Sequence, residues 1–177
     1  MAVCVRHGGA IPNRPTVFSA ADDRATVWNA QLAHAHNTLR EQLHSNQVNL
    51  GATDAGGGDL LTHCLAFCSA LTTHHRGEDA GLFAELLRGR PDVAPVITNL
   101  VENHQMITTI LTSVRALSTE AGAATDKRLE VIGRELNLLA AILESHFGYE
   151  ERAIGHALDS GILDSGWARP VLGFMEG

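Results

Sequence analysis

Apolar residues recur along most of this chain at spacings of three and four, the period of an α-helix with one buried face. The first run holds Val27, Trp28, Leu32, Leu39, Leu43 and Leu50. Ser19 opens it as an N-cap, and Asp22 and Asp23 sit at the positive end of the helix dipole. GATDAGGG at 51–58 reads as a flexible linker, after which Asp59 caps a second helix running through Leu87. GRPD, within 89–95, places Gly and Pro where one helix stops and the next starts, and Val96 to Leu117 resumes the period. STEAGAATD breaks it again. Asp126 then caps a fourth run in which Leu129, Ile132, Leu136, Leu139, Leu143 and Phe147 lead on to Leu158. Long amphipathic helices must bury their stripes on one another, so the pattern predicts an all-α fold: an antiparallel up-down-up-down four-helix bundle over 19–158. Residues 1–18 hold Pro12, Pro15 and a Gly8-Gly9 pair without a period and predict an irregular N-terminal arm. Residues 159–177 have too many Gly and Pro for a long helix. They carry Ile162, Leu163, Trp167, Val171, Leu172 and Phe174, which predicts a C-terminal tail packed back on the bundle.

A chain of 177 residues supports one hydrophobic core and crowds a second, so one domain is expected. The net charge of -7, with no run of Lys or Arg, lacks the clustered basic face that nucleic-acid binding needs. No apolar stretch approaches the roughly 20 residues that cross a bilayer. The start MAVCVRHGGAIPNRP lacks the apolar centre of a signal peptide, so a cytoplasmic protein without membrane contact is expected. Cys4, Cys64 and Cys68 make an odd number, and the last two sit four apart in a helical pattern, which suits reduced, buried thiols. Ten His is the feature that composition leaves to be explained.

Residues four apart on a helix point about 40° from one another and lie about 6 Å apart along the axis, so such a pair offers two ligands to one metal site. His74 and Glu78, in THHRGEDAGLF, continue the stripe Phe67, Leu71 and Leu82. His146 and Glu150, in SHFGYEER, continue Leu136, Leu139 and Leu143. The third helix adds His104 on the stripe Ile97, Leu100, Ile107 and Leu111, and the first adds His36 on Trp28, Leu32, Leu39 and Leu43. Four inward His and two inward Glu follow. A carboxylate in a helical core is costly unless paired or metal-bound, so the set points to metal. Six donors with two carboxylates suit two ions better than one four-coordinate zinc, and His-x-x-x-Glu differs from the Glu-x-x-His of ferritin-type bundles. A turn of about 100° per residue takes His34 and His75 off the stripes to the surface. His7, His44 and His156 fall outside the pattern and read as solvated. Glu151 and Arg152 read as an exposed charged turn, with support of the ligands as the alternative.

Over about residues 28–155 this ordered set resembles the hemerythrin-like family, the HHE cation-binding domain. The resemblance rests on His-x-x-Leu in the first helix, His-x-x-x-Glu with Leu-Phe in the second, Asn-His in the third and His-x-x-x-Glu-Glu-Arg in the fourth. It implies two iron ions in an oxo- or hydroxo-bridged di-iron centre. Glu78 and Glu150 would bridge, with His36 and His74 on one iron and His104 and His146 on the other. Oxygen-carrying hemerythrins have two His four apart on the third helix and an Asp five residues after the fourth-helix His. Here Leu100 precedes His104 by four, and Glu150 and Glu151 follow His146 by four and five. These departures weigh against stable oxygen carriage. They favour an iron that admits water, peroxide or nitric oxide, or that takes a further ligand from Tyr149, Glu102 or His63. The function expected is binding or reduction of small oxidants (dioxygen, hydrogen peroxide, nitric oxide) in sensing or stress protection, with catalase- or peroxidase-like turnover as its enzymatic form. The alternatives are a non-catalytic iron- or oxygen-responsive module and, last, a di-iron oxygenase with the tail as a lid over an organic substrate. The sequence names no protein partner.

Overall fold

The computed structural model describes residues 20–51, 57–119, 126–160 and 162–176. The expected arm at 1–18, with Cys4 and His7, lies outside the described residues, as do the Ser19 cap and the centres of the GATDAGGG and STEAGAATD segments. Among the described residues every regular element is helical: α1 (Ala20–Gly51), α2 (Gly57–Gly77), α3 (Phe83–Gly89), α4 (Ala94–Thr119), α5 (Asp126–Leu158) and α6 (Ala168–Leu172). Helix α2 starts two residues before the Asp59 expected to cap it. None of the described helices is long and apolar enough to cross a membrane.

The second predicted helix is not continuous. A π turn, Glu78–Leu82, joins α2 to α3, with the N–H of Phe83 bonded to the carbonyl of Glu78 five residues back. The widened turn admits an extra residue and shifts the phase of the stripe, so that Glu78, Leu82 and Phe83 are all buried. Helix α3 ends at Gly89, and Pro91 opens a 3₁₀ turn (Pro91–Val93), where a missing N–H costs little.

Helix α1 packs on α2 and α5, and α4 packs on the same two. Their shared interior holds two apolar clusters. One gathers Leu39, Leu43, Leu71, Ile107, Leu139 and Leu143. The other gathers Leu32, Leu82, Leu100, Ile154, Trp167 and Val171. Helices α1, α4 and α5 contribute to both clusters, while α2 contributes to the first and the π turn after it to the second. Along each stretch the buried His lies near the change from one cluster to the other: Leu32, His36, Leu39 on α1; Leu71, His74, Leu82 from α2 into the π turn; Leu100, His104, Ile107 on α4; Leu143, His146, Ile154 on α5. The polar residues therefore occupy a layer sealed by hydrocarbon at both ends.

Beyond α5 the chain returns to α2. Gly166 takes a positive φ of 106°, which a side chain would resist, and Asp164 Oδ1 accepts hydrogen bonds from the N–H groups of Gly166 and Ala168 at the start of α6. Trp167 is buried against Trp28, ring centres 4.9 Å apart. Two glycines allow the approach. A Cβ on Gly81 would lie 2.6 Å from that of Trp167, and one on Gly77 would lie 2.8 Å from that of Pro170. Gly81→Val is accordingly expected to destabilise the protein by about 1–3 kcal/mol through overpacking, measured by thermal or urea denaturation. Gly133→Ala, in the middle of α5 with nothing within 4 Å, is expected to stabilise it by about 0.5–1 kcal/mol.

Candidate metal centre

The layer between the apolar clusters brings together all six residues that the stripes selected. His36, His74, Glu78, His104, His146 and Glu150 are each between 0% and 3% exposed. Helix α1 carries His36, α2 carries His74, the π turn carries Glu78, α4 carries His104 and α5 carries His146 and Glu150. Glu78 divides its oxygens between two sets of imidazoles: Oε1 lies 3.2 Å from His74 Nε2 and 4.0 Å from His36 Nε2, while Oε2 lies 3.6 Å from His104 Nε2. Glu150 Oε2 lies 3.6 Å from His36 Nε2 and 3.5 Å from His146 Nε2. The Nε2 atoms of His104 and His146 are 3.1 Å apart. Metal–imidazole bonds of about 2.1 Å at right angles hold two donor nitrogens about 3 Å apart, so these separations are those of ligands around shared ions.

Outer groups fix three of the four rings. His36 Nδ1 is 2.8 Å from Glu151 Oε1, His74 Nδ1 is 2.9 Å from the carbonyl of Val171, and His104 Nδ1 is 2.7 Å from Asp79 Oδ1. Each ring donates its Nδ1 proton outward, which leaves the Nε2 lone pair facing the centre, the tautomer a metal ligand needs. Glu151 is held in turn by Arg40, whose Nη1 donates to it at 3.2 Å while Nε donates to Glu144 and the guanidinium covers Phe147. Phe147 stacks on His36 at 4.1 Å and keeps that ring in plane.

Burial governs the protonation states. Desolvation lowers the pKa of His36 despite Glu151, pushes His74 well below the ordinary imidazole value, and takes His146 to about 3. It raises Glu78 well above the usual carboxylate range, with the neighbouring Glu150 adding to the effect, and lifts Glu150 to about 8. The rings of His36, His74 and His146 are thus neutral donors at physiological pH and offer the carboxylates no countercharge. His36 Nε2, His74 Nε2 and all four oxygens of Glu78 and Glu150 are buried without a hydrogen-bond partner. Orphaned polar atoms in a native interior need an explanation, and cations supply one here because the donors converge. The residues fit a metal centre.

Several expectations need correction. His75 was expected at the surface; it is 3% exposed and stacks on His104 at 4.0 Å. Helix α2 lies against both α1 and α4, so two successive residues about 100° apart each point inward, His74 toward α1 and His75 toward α4. Glu151, read as part of an exposed charged turn, instead accepts from His36 and Arg40. Burial opposes its ionisation, yet these bonds outweigh it and hold the carboxyl below the ordinary range. The supporting roles of Asp79 and of the Val171 carbonyl had no signal in the helical stripes, since one lies off the face and the other is backbone. Glu102 and His63 are exposed, Tyr149 packs half-buried against the cluster of Leu32, Leu82 and Leu100, and none of the three joins the donor groups found among the described residues. His34, His44 and His156 are exposed. Cys64 and Cys68 are buried in the core, where desolvation raises both thiols to about 11 and makes them unreactive.

The charge held by Glu150 gives a pH test. Its folded value of about 8 exceeds the 4.5 of the free carboxyl. Without metal, the folded state therefore keeps a proton that the unfolded chain releases, and stability falls as pH rises from about 4.5 to about 8. Chelator-treated Glu150→Gln is expected to melt above chelator-treated wild type at pH 8 and level with it below about pH 4.5 while binding metal less well. Thermal melts at the two pH values check it.

No curated protein and no solved structure matches the chain. The model of the hemerythrin HHE cation binding domain matches residues 29–158, well over half of the chain, and spans all four helices that supply the donors. With that match and the buried His and Glu groups together, the chain belongs to the hemerythrin HHE cation-binding domain family.

Proposed function

We propose that this protein is a non-haem di-iron protein that binds or reduces small oxidants such as dioxygen, hydrogen peroxide or nitric oxide. His36, His74, Glu78, His104, His146 and Glu150 would hold the two ions in an antiparallel up-down-up-down four-helix bundle. The observation that carries the reading is the placement of two buried carboxylates between two sets of imidazoles, with their oxygens otherwise unpartnered. The alternating order in which successive long helices pass from one apolar cluster to the other supports the antiparallel arrangement. Imidazole and carboxylate donors suit iron in both its ferrous and ferric states.

Bound iron would supply Lewis acidity and electrons. The protein's share is geometric and dielectric. Glu151, Val171 and Asp79 hold the rings of His36, His74 and His104 with their lone pairs inward, and the carboxylates would offset the charge of bound ions. The flanking apolar clusters exclude bulk water, so charges in the centre interact strongly. Donors no more than 3% exposed are reached more readily by small oxidants than by a larger organic molecule. A cleft of about 700 Å³ between α4 and α5, lined by Asn103, Met106, Tyr149 and Arg152, reaches the centre at His146 and offers such molecules a route to the His104 and His146 side.

Metal analysis of aerobically purified protein tests the proposal first, with about two irons per chain and near-ultraviolet charge-transfer absorption expected. One zinc, or no metal, overturns it. If the centre turns over peroxide, consumption is expected in wild type and lost in Glu78→Ala and Glu150→Ala together with the iron. Equal rates in native and metal-stripped protein would remove the oxidant chemistry from the reading.

A further inference from the structure

We infer that His75 is an additional metal ligand, forming with His104 and His146 a three-imidazole site for one ion, so that the two ions of the proposed centre have unequal donor sets. The inference rests on the di-iron reading above and adds a residue that the helical stripes exclude.

Three observations carry it. His75 is 3% exposed, yet both of its ring nitrogens are buried without a hydrogen-bond partner. The rings of His36, His74 and His104 each have an outer acceptor on Nδ1, whereas His75 has polar atoms and no protein group to satisfy them. Its place is also specific: parallel to His104 at 4.0 Å and edge-on to His146 at 5.2 Å, with one donor nitrogen from each of the three residues within 4.8 Å of the others. A second group, His36, His74 and Glu78, is assembled at the same spacing, and the group Glu78, His104 and Glu150 links the two. The donors therefore divide into a site richer in nitrogen on the α4 side and one of two imidazoles on the α1 side, with the carboxylates between them. Octahedral positions around bonds of about 2.1 Å are separated by about 3–4 Å, so a movement of His75 by about an ångström completes the site. A ring serving only to stack on His104 would be better supplied by phenylalanine, which has no polar atoms to desolvate.

His75→Phe separates these roles because it keeps an aromatic ring against His104 and removes the donors. Wild type and variant would be loaded anaerobically with ferrous iron, imidazole ligands counted by X-ray absorption, and each iron's affinity measured by chelator competition. The expected result is about five imidazoles over two irons in wild type and about four in the variant, with one iron held at least about ten-fold more weakly and the other unchanged. The metal-free variant should keep its helicity and melt at or above wild type. A second variant, His75→Ala, should recover the tighter affinity when free imidazole is added, which a packing defect would not. Equal imidazole counts and affinities in wild type and His75→Phe overturn the inference and leave the di-iron reading standing. Wild type that takes up no iron overturns both.

Discussion

Glu78 and Glu150 meet in the buried middle of the helices, and no protein group donates a hydrogen bond to any of their four oxygens. Much else in the structure answers that placement. Two carboxylates packed together in the interior resist ionisation, and the facing imidazoles of His36, His74 and His146 do not serve as cations because burial drives them neutral. Ordinary ion pairing is therefore closed to this cluster. Cations from outside the chain resolve the conflict, since they stabilise the carboxylates as anions and use the lone pairs of neutral rings. The apolar clusters at both ends supply the stability that lets the fold carry so polar a layer.

Control of the rings comes from farther out in the fold. His74 takes its orientation from the carbonyl of Val171, a residue beyond the segment that matches the family. That carbonyl reaches α2 only because Gly77 and Gly81 leave the helix surface bare for Pro170 and Trp167. His36 depends on Glu151, which depends on Arg40, and Arg40 is one helical turn from His36 on α1. The centre is thus coupled to the C-terminal segment on one side and to an ion-paired, partly exposed network of α1 and α5 on the other. Changes in either can alter the metal-facing nitrogens without touching a donor.

Much of this was written in the chain. The apolar period gave four long helices because a helix repeats every 3.6 residues, and any stripe that repeats with it must be buried. The same period selected His36, His74, Glu78, His104, His146 and Glu150, which sit in phase with Leu and Ile and so had to face the interior, where polar side chains need a reason to be. The π turn was not legible, since it arises from how Glu78 and Phe83 share a backbone bond rather than from side-chain spacing. His75 was misread for a related reason. A single stripe describes a helix with one neighbour, whereas α2 has one on either side and buries a wider arc.

By itself, then, the sequence determined that the chain folds into long helices and which residue types lie on their inner faces, because both follow from local periodicity along one helix. Only the tertiary structure decided which imidazoles stand across from one another, which groups hold their outer nitrogens, and that a backbone carbonyl and a neighbouring His join the layer. Those relations hold between residues 97 and 115 positions apart in the chain, as in His74 with Val171 and His36 with Glu151. They depend on how helices are rotated and packed against one another, which no spacing within a single helix encodes.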